Sequence, residues 1–171
     1  SIHGIFIYFP IFGNQQDDYL RNLVHYTKDV EAGSQYWTRK LYANDRYAQI
    51  GDAVKKAVLP CTPLAIVKLL VELKVYDERD GLETRPLAGK TVTIFNRSEV
   101  IGRPLAVMMS NEGARVLSFD EFGPLRFENA QTHEIDISRA AALSASDIVI
   151  TGVPSANFPQ IMPQEIKANT V

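Results

Sequence analysis

The 171 residues are 46% hydrophobic and 22% charged, a composition that excludes a disordered chain and suffices for one sizeable core or two small ones. A formal net charge of −2, a pI near 5.9 and no basic run leave no electrostatic footprint for nucleic acid or membrane, so a small ligand is the expected partner. One cysteine, Cys61, excludes an internal disulfide and fits a reducing, cytoplasmic compartment.

Ile2 to Phe9 is almost wholly apolar, which predicts a strand buried on both faces and stopped by Pro10. Tyr8 and Phe9 stand at its carboxyl end, which borders the ligand crevice in an open α/β sheet. Tyr8 therefore reads either as a substrate contact or as a core tyrosine with its hydroxyl paired. The opening SIHGIFIYFP lacks a basic region and a cleavage site, and no apolar run reaches the roughly 18 residues of a membrane span. A chain that opens inside a strand, and closes at Thr170 and Val171 where another is starting, is expected to be a fragment.

Asn14 to Tyr26 places Tyr19, Leu23 and Tyr26 at helical spacing with acidic residues in the first turn, predicting a surface helix. In the polar loop Thr27 to Gly33, Lys28, Asp29 and Glu31 form either a solvated surface or one wall of a pocket. Ser34 to Val58 shows no sustained period and yields no prediction. Thr62 is expected to cap a helix that begins at Pro63 and runs to about Val75. Its apolar residues cover most of the circumference, as suits a helix bridging two domains. Tyr76 to Lys90, charged and broken by Gly81, Pro86 and Gly89, reads as a linker.

Thr91 to Asp120 reads as strand, loop, helix, strand. Thr91 to Phe95 is an uncharged, β-branched and aromatic run expected as a buried parallel strand. Pro104 suits a first helical turn, and Gly113 the left-handed position past the helix end. Ala114 to Phe119 returns as a second strand, with Asp120 placed to bond both hydroxyls of an adenosine ribose. The glycine fingerprint of dinucleotide sites is mostly gone, since Asn96 replaces its first glycine and only Gly102 remains, so a plain structural unit stays open as the alternative. Glu121 to Ile137 reads as a loop or an excursion with no structure assigned, Ser138 to Ser146 as a short helix, and Asp147 to Thr151 as a third parallel strand ending in Gly152, Val153 and Pro154. Pro163 to Ile166 is a further helix start. The expected fold is α/β with two domains: residues 1–76 as part of a catalytic α/β domain with its bridging helix, and 77–171 as a Rossmann-like, doubly wound parallel sheet.

Taken together, GIFIYFPIFG, KDVEAG, PCTPLAIVKLL, VTIFNRSEVIGRPLAVMMSNEGA and DIVITGVP resemble, in that order, the methylenetetrahydrofolate dehydrogenase/cyclohydrolase family, and most closely its monofunctional NAD-dependent fungal branch. Tyr8, Asn96 and Ala65 stand where bifunctional relatives carry a glutamine and two glycines. A phenol offers one hydroxyl where an amide both donates and accepts, so cyclohydrolase activity is expected to be absent. The resemblance implies oxidation of 5,10-methylenetetrahydrofolate to the methenyl form, with NAD as hydride acceptor. It further implies Ile7, Tyr8 and Phe9 lining the folate site, Glu31 on the pterin and Thr62 near the nicotinamide. By the same resemblance Arg97, Ser98, Asp120, Gly152, Val153 and Pro154 are expected to hold the rest of the cofactor, with Arg97 at the pyrophosphate or adenosine. Asp120 is expected to favour NAD by repelling a 2′-phosphate. The family's Tyr-x-x-x-Lys motif is expected upstream of Ser1 and its Pro-Gly-Gly loop downstream of Val171, so no catalytic residue is assigned. A homodimer is implied by the resemblance alone.

Two other readings stand beside this one: a dehydrogenase of another small substrate, such as a hydroxy acid, and an inactive cofactor-binding or dimerising fragment. His3, His25 and His133 lack metal-ligand spacing, so no metal is expected. Cys61 is expected to be a small buried thiol rather than a nucleophile.

Overall fold

The protein is described by a computed structural model covering residues 2–76, 85–129, 131–153 and 155–171. Two compact units divide it, residues 1–64 and 65–171.

In the first unit, Ile2 to Phe9 is not the buried strand that its composition suggests. A strand needs a ladder, and here Ile5 alone pairs, in parallel, with Asp29, its N–H reaching the Lys28 carbonyl at 2.7 Å. Ile2 and Phe6 stay exposed, and Tyr8 is 84% exposed, which overturns the core-tyrosine reading. Helix α1 (Gln15–Leu23) forms where expected, with the Asn14 side chain accepting from the Gln16 N–H. Its Asp17 turns inward and gathers the N–H groups of Ile11, Phe12 and Gly13, fixing the loop that enters the helix. Helix α2 (Gln35–Tyr42) and a hairpin of β1 (Tyr47–Ile50) and β2 (Ala53–Lys56) occupy the stretch that gave no prediction. Gly51, at φ +59°, makes the two-residue turn between Ile50 and Ala53. The core of this unit is Ala32, Trp37 and Ala48, covered by Tyr26, Tyr36, Ile50, Ala57 and Val58.

Helix α3 (Cys61–Glu72) starts two residues earlier than expected: the Leu64 N–H already bonds the Pro60 carbonyl, so Thr62 lies inside the first turn rather than capping it. Pro63 is tolerated because no N–H in that turn has a helical partner. Cys61 is exposed, not buried, because it lies on the open side of that turn. Of the expected linker, residues 77–84 lie outside the described residues. Its flanks are packed, with Tyr76 buried and Leu87 fully buried with its N–H on the Glu112 carbonyl.

The second unit carries a five-stranded sheet. Strand β3 (Thr91–Phe95), helix α4 (Gly102–Asn111) and β4 (Arg115–Asp120) follow the expected pattern. Gly113 takes φ +98° past the helix end, where a side chain is disfavoured. Residues 121–137, read from sequence as a loop or an excursion with no structure assigned, form β5 (Gly123–Glu128) and β6 (Gln131–Glu134), an antiparallel extension of the sheet. Its polarity misled because this edge is wet: all four β6 residues are exposed. Helix α5 (Arg139–Ala145), capped by Ser138, leads to β7 (Ile148–Thr151), and Pro163–Glu165 closes into a 3₁₀ turn rather than an α-helix. The strand order is β6-β5-β4-β3-β7, with β4, β3 and β7 parallel. Val171 adds two backbone bonds beside β7, accepting from Val149 and donating to Asp147.

Asp147 ties the amino end of this sheet together. Its carboxylate accepts from the Thr91 N–H and from Lys167 Nζ, each at 2.8 Å. Burial alone would raise this carboxyl, but Lys167, the Thr91 N–H and Lys90 outweigh it and hold it below the usual carboxylate value. A carboxylate depressed in the fold stabilises fully above its unfolded pKa of about 3.9, and that contribution is lost as pH falls through the lower native value. Asp147→Asn is therefore expected to lower the denaturation midpoint at neutral pH, and the gap from the parent should close in acid. A gap that persists unchanged into strong acid contradicts this role.

Candidate functional site

From β3 the chain crosses through α4 to β4 on one side and later returns through α5 to β7 on the other. The loops leaving the carboxyl ends of β3 and β7 thus diverge at a topological switch point, the place where open α/β sheets take their ligands. Arg97, Ser98, Asp120, Gly152 and Val153 all lie at the carboxyl ends of β3, β4 and β7. Pro154 lies outside the described residues.

Asn96, noted in the sequence only as a missing glycine, clamps this site. Its Nδ2 donates to the Gly152 carbonyl at 2.7 Å and its Oδ1 accepts from the Ser98 N–H at 2.8 Å, joining the β3 and β7 loops. The two glycines serve that clamp. A Cβ on Gly152 would sit 3.2 Å from Asn96 Nδ2, and one on Gly102 would fall 2.0 Å from the Asn96 carbonyl oxygen. Ser98 Oγ accepts from the Ile101 N–H at 3.2 Å, at the opening of α4. Val153 is 38% exposed beside Gly152.

Arg97, expected at the pyrophosphate or adenosine, has a side chain that is 5% exposed and turned onto the β4–β5 hairpin, beside the residue expected at the adenosine ribose. Nη1 pairs with Asp120 Oδ1 at 2.9 Å, and Nη2 donates to the carbonyls of Ser118 and Gly123. Burial pushes this guanidinium below its ordinary value while Asp120 opposes the shift and Arg103 adds to it. Asp120 is left partly exposed, and its Oδ1 also accepts from the Phe122 N–H at 2.9 Å. Among the described residues both of these bonds fall on Oδ1 and none on Oδ2. A carboxylate steadied on one oxygen and open on the other suits a ribose diol. These features fit a dinucleotide: a parallel switch point, close backbone approach where Cβ atoms have no room, and an acidic residue at the end of the second strand.

In the first unit the structure brings Ile7 and Glu31 together, the Ile7 N–H lying close enough to the Glu31 carboxylate to favour its charged form. Burial, then the neighbouring Asp29, raise that carboxyl above its ordinary value, against Arg21 and the Ile7 N–H. Asp29 itself is buried and accepts from the N–H groups of Glu31, Gly33 and Ser34, so it shapes the loop rather than facing solvent. Tyr8 meets Phe6 edge to face at 4.9 Å, and Phe9 lies beneath Arg21 at 4.4 Å. Thr62 is exposed in the first turn of α3. Among the described residues no group of three or more His, Cys, Asp or Glu is arranged to hold a metal, and no helix is long and apolar enough to cross a membrane.

Comparison with known proteins agrees with this geometry. The family model described as tetrahydrofolate dehydrogenase/cyclohydrolase, NAD(P)-binding domain, matches residues 60–171. A methylenetetrahydrofolate dehydrogenase [NAD(+)] of Dictyostelium discoideum is 45% identical over 163 residues, covering 92% of this chain and 52% of that protein. The solved NAD-dependent 5,10-methylenetetrahydrofolate dehydrogenase of Saccharomyces cerevisiae superposes with a TM-score of 0.84 at 40% identity, covering 98% of this chain and 56% of that one. A bifunctional enzyme from Campylobacter jejuni shares the fold at TM-score 0.67 and 22% identity, covering 96% of this chain and 46% of that one. The chain spans about half the length of the curated relatives it matches.

Proposed function

The chain belongs to the tetrahydrofolate dehydrogenase/cyclohydrolase family, and from that premise we propose that it is part of an enzyme oxidising 5,10-methylenetetrahydrofolate to 5,10-methenyltetrahydrofolate with NAD. The observation that carries this reading is Asp120, held at the carboxyl end of β4 beside the switch point with one carboxylate oxygen engaged and the other open. When bound, NAD supplies the nicotinamide ring that takes up the hydride.

The protein's own task is positioning. The folate nitrogens stabilise the product cation themselves, so little acid or base assistance is required, and rate comes from holding two rings at reacting distance. Asp120 bonds the adenosine ribose and repels a 2′-phosphate. Asn96 fixes the two loops that Ser98, Gly152, Val153 and Pro154 present to the cofactor, and Thr62 meets the nicotinamide. Ile7, Tyr8 and Phe9 line the folate site, and Glu31, its proton affinity raised, binds the pterin. Residues 1–76 belong to the folate side and 77–171 to the cofactor side. We assign the protein to the cytoplasm as a homodimer with no nucleic-acid or membrane partner, a reading supported by its charge balance and by the family.

Tyr8 in place of an amide supports the absence of cyclohydrolase activity. Reduction of NAD, with NADP in parallel, is to be measured in the presence of 5,10-methylenetetrahydrofolate, and methenyl hydrolysis followed on the same preparation. The expected outcome is NAD reduction with no acceleration of hydrolysis. Preference for NADP, or faster hydrolysis, contradicts it. Tight NAD binding without turnover gives the second reading, a cofactor-binding unit.

A further inference from the structure

We propose that Arg139 is a positioning residue for the nicotinamide half of the bound dinucleotide: it straps the loop that follows β7 onto the end of β3 and so sets the backbone which that half meets. The inference rests on the reading that a dinucleotide binds at this switch point, and it extends that reading to a residue outside the strand ends.

The strand order decides which half is concerned. Asp120 closes β4 on one side of β3 and β7 lies on the other, so the two strand ends are two ladder spacings apart, about 10 Å. A dinucleotide with its adenosine ribose on Asp120 crosses the end of β3 with its pyrophosphate and lays its nicotinamide half along the loop leaving β7. That loop has no ladder of its own, since residues 152, 153 and 155–162 enter no helix or strand. At its start Gly152 is fixed by its N–H on the Phe95 carbonyl at 3.1 Å and by Asn96. Beyond it Val153, Ser155, Ala156 and Asn157 are exposed.

Arg139, at the first position of α5, supplies the second anchor. Nη2 donates to the carbonyls of Pro159 and Gln160 at 3.1 and 3.3 Å, and Nη1 pairs with Glu165 Oε1 at 3.1 Å. The other oxygen of Glu165 accepts from the Met162 N–H at 2.7 Å, so one ion pair ties both the middle and the end of the loop. The guanidinium carbon lies 5.9 Å from the ring centres of both Phe95 and Phe158, within cation–π range. Phe158 meets Phe95 at 5.4 Å, and Phe95, buried at the end of β3, meets Phe119 of β4 at 5.2 Å. The loop is thereby folded back onto the strand from which Asn96 leaves.

A planar fork with two carbonyls, a carboxylate and two rings around it has more partners than a surface ion pair. What these contacts supply is order. Fixing a flexible backbone costs conformational entropy at each residue, and a loop ordered beforehand spares the ligand that cost. Arg139 therefore strengthens binding only through contacts that the loop makes, and a ligand that stops short of the loop is indifferent to it.

The test is calorimetric titration of the full chain with NAD and with ADP-ribose, which keeps the adenosine and both phosphates but lacks nicotinamide. The parent, Arg139→Met, Arg139→Lys and Glu165→Gln are compared, each checked for folding by circular dichroism. The parent is expected to bind both ligands. Arg139→Met is expected to lose about 10-fold in NAD affinity, roughly the worth of one charge-assisted hydrogen bond, while its ADP-ribose affinity stays within about 2-fold of the parent. Arg139→Lys, which keeps the charge but not the fork, and Glu165→Gln should fall between. An equal loss for both ligands, or no loss for either, overturns the positioning role while the cofactor reading stands. If Arg139→Met does not fold, the same split in Glu165→Gln decides; if neither folds, Arg139 is a structural strut and the proposal falls. A parent that binds neither ligand overturns the cofactor reading and this inference together.

Discussion

Gly102→Ala is expected to destabilise the second unit by about 3 kcal/mol or more, the upper range for forcing atoms into a filled site, and to abolish dinucleotide binding. The reason is space rather than backbone torsion. A Cβ at this position would lie 2.0 Å from the Asn96 carbonyl oxygen, 2.3 Å from its carbon and 2.6 Å from Oδ1. The first two are backbone atoms at the exit of β3, so no rotamer change relieves the clash. Either α4 slides away from the sheet or the β3 loop moves, and both break the Asn96 clamp on Gly152. Gly152→Ala provides the contrast: its nearest neighbour is Asn96 Nδ2 at 3.2 Å, the end of a side chain that can give way, so a smaller loss is expected. Denaturant midpoints and NAD titrations of the two variants measure this. A Gly102→Ala protein with parental midpoint and affinity refutes it.

Trp37→Ala is expected to cost the first unit about 3–5 kcal/mol, the range for deleting a large buried aromatic side chain. Trp37 is 1% exposed, donates Nε1–H to the Tyr26 carbonyl at 3.0 Å, and meets the Tyr36 ring edge to face at 4.9 Å. Around it the elements are short, an eight-residue helix and two four-residue strands, so little else fills the space. Trp37→Phe keeps most of the volume and loses the N–H, and should cost markedly less. Hydrogen exchange resolves the units separately: the Ala variant should lose protection in residues 35–58. Unchanged protection there would show that Trp37 is not the keystone of this core.

These two residues mark the limits of what could be read from the chain alone. The β3–α4–β4 unit was legible because its signals are local: an uncharged β-branched run, Pro104 inside the first helical turn, and Gly113 at a left-handed position. The Trp37 core was not, because it joins residues 26 to 58 through elements too short to show a period. The β5–β6 hairpin escaped for a different reason. Its outer strand is wet throughout, so no apolar alternation betrays it; Gly123 at φ +104° marks only the preceding turn, from β4 into β5. At the opposite extreme, Ile2 to Phe9 was apolar enough to be read as buried, yet composition says nothing about whether neighbouring strands are present to pair with it.

At the candidate site, residue types and strand ends were readable but partners were not. Arg97 and Asp120 are 23 positions apart, and nothing in either residue announces the pair. The parallel register does, because Phe95 lies opposite Phe119, which brings the next residues of β3 and β4 out at the same end of the sheet. Asn96 was legible only as a lost glycine. Its role as a clamp needs the β7 loop, 56 positions away, to be in place.

The proposed dinucleotide site lies where β3, β4 and β7 end. Hydrogen–deuterium exchange of the full chain with and without saturating NAD tests it most directly. Slowed exchange concentrated at residues 96–103, 118–123 and 152–153 is the expected result. No slowing at saturation, or slowing confined to residues outside those three segments, contradicts the account.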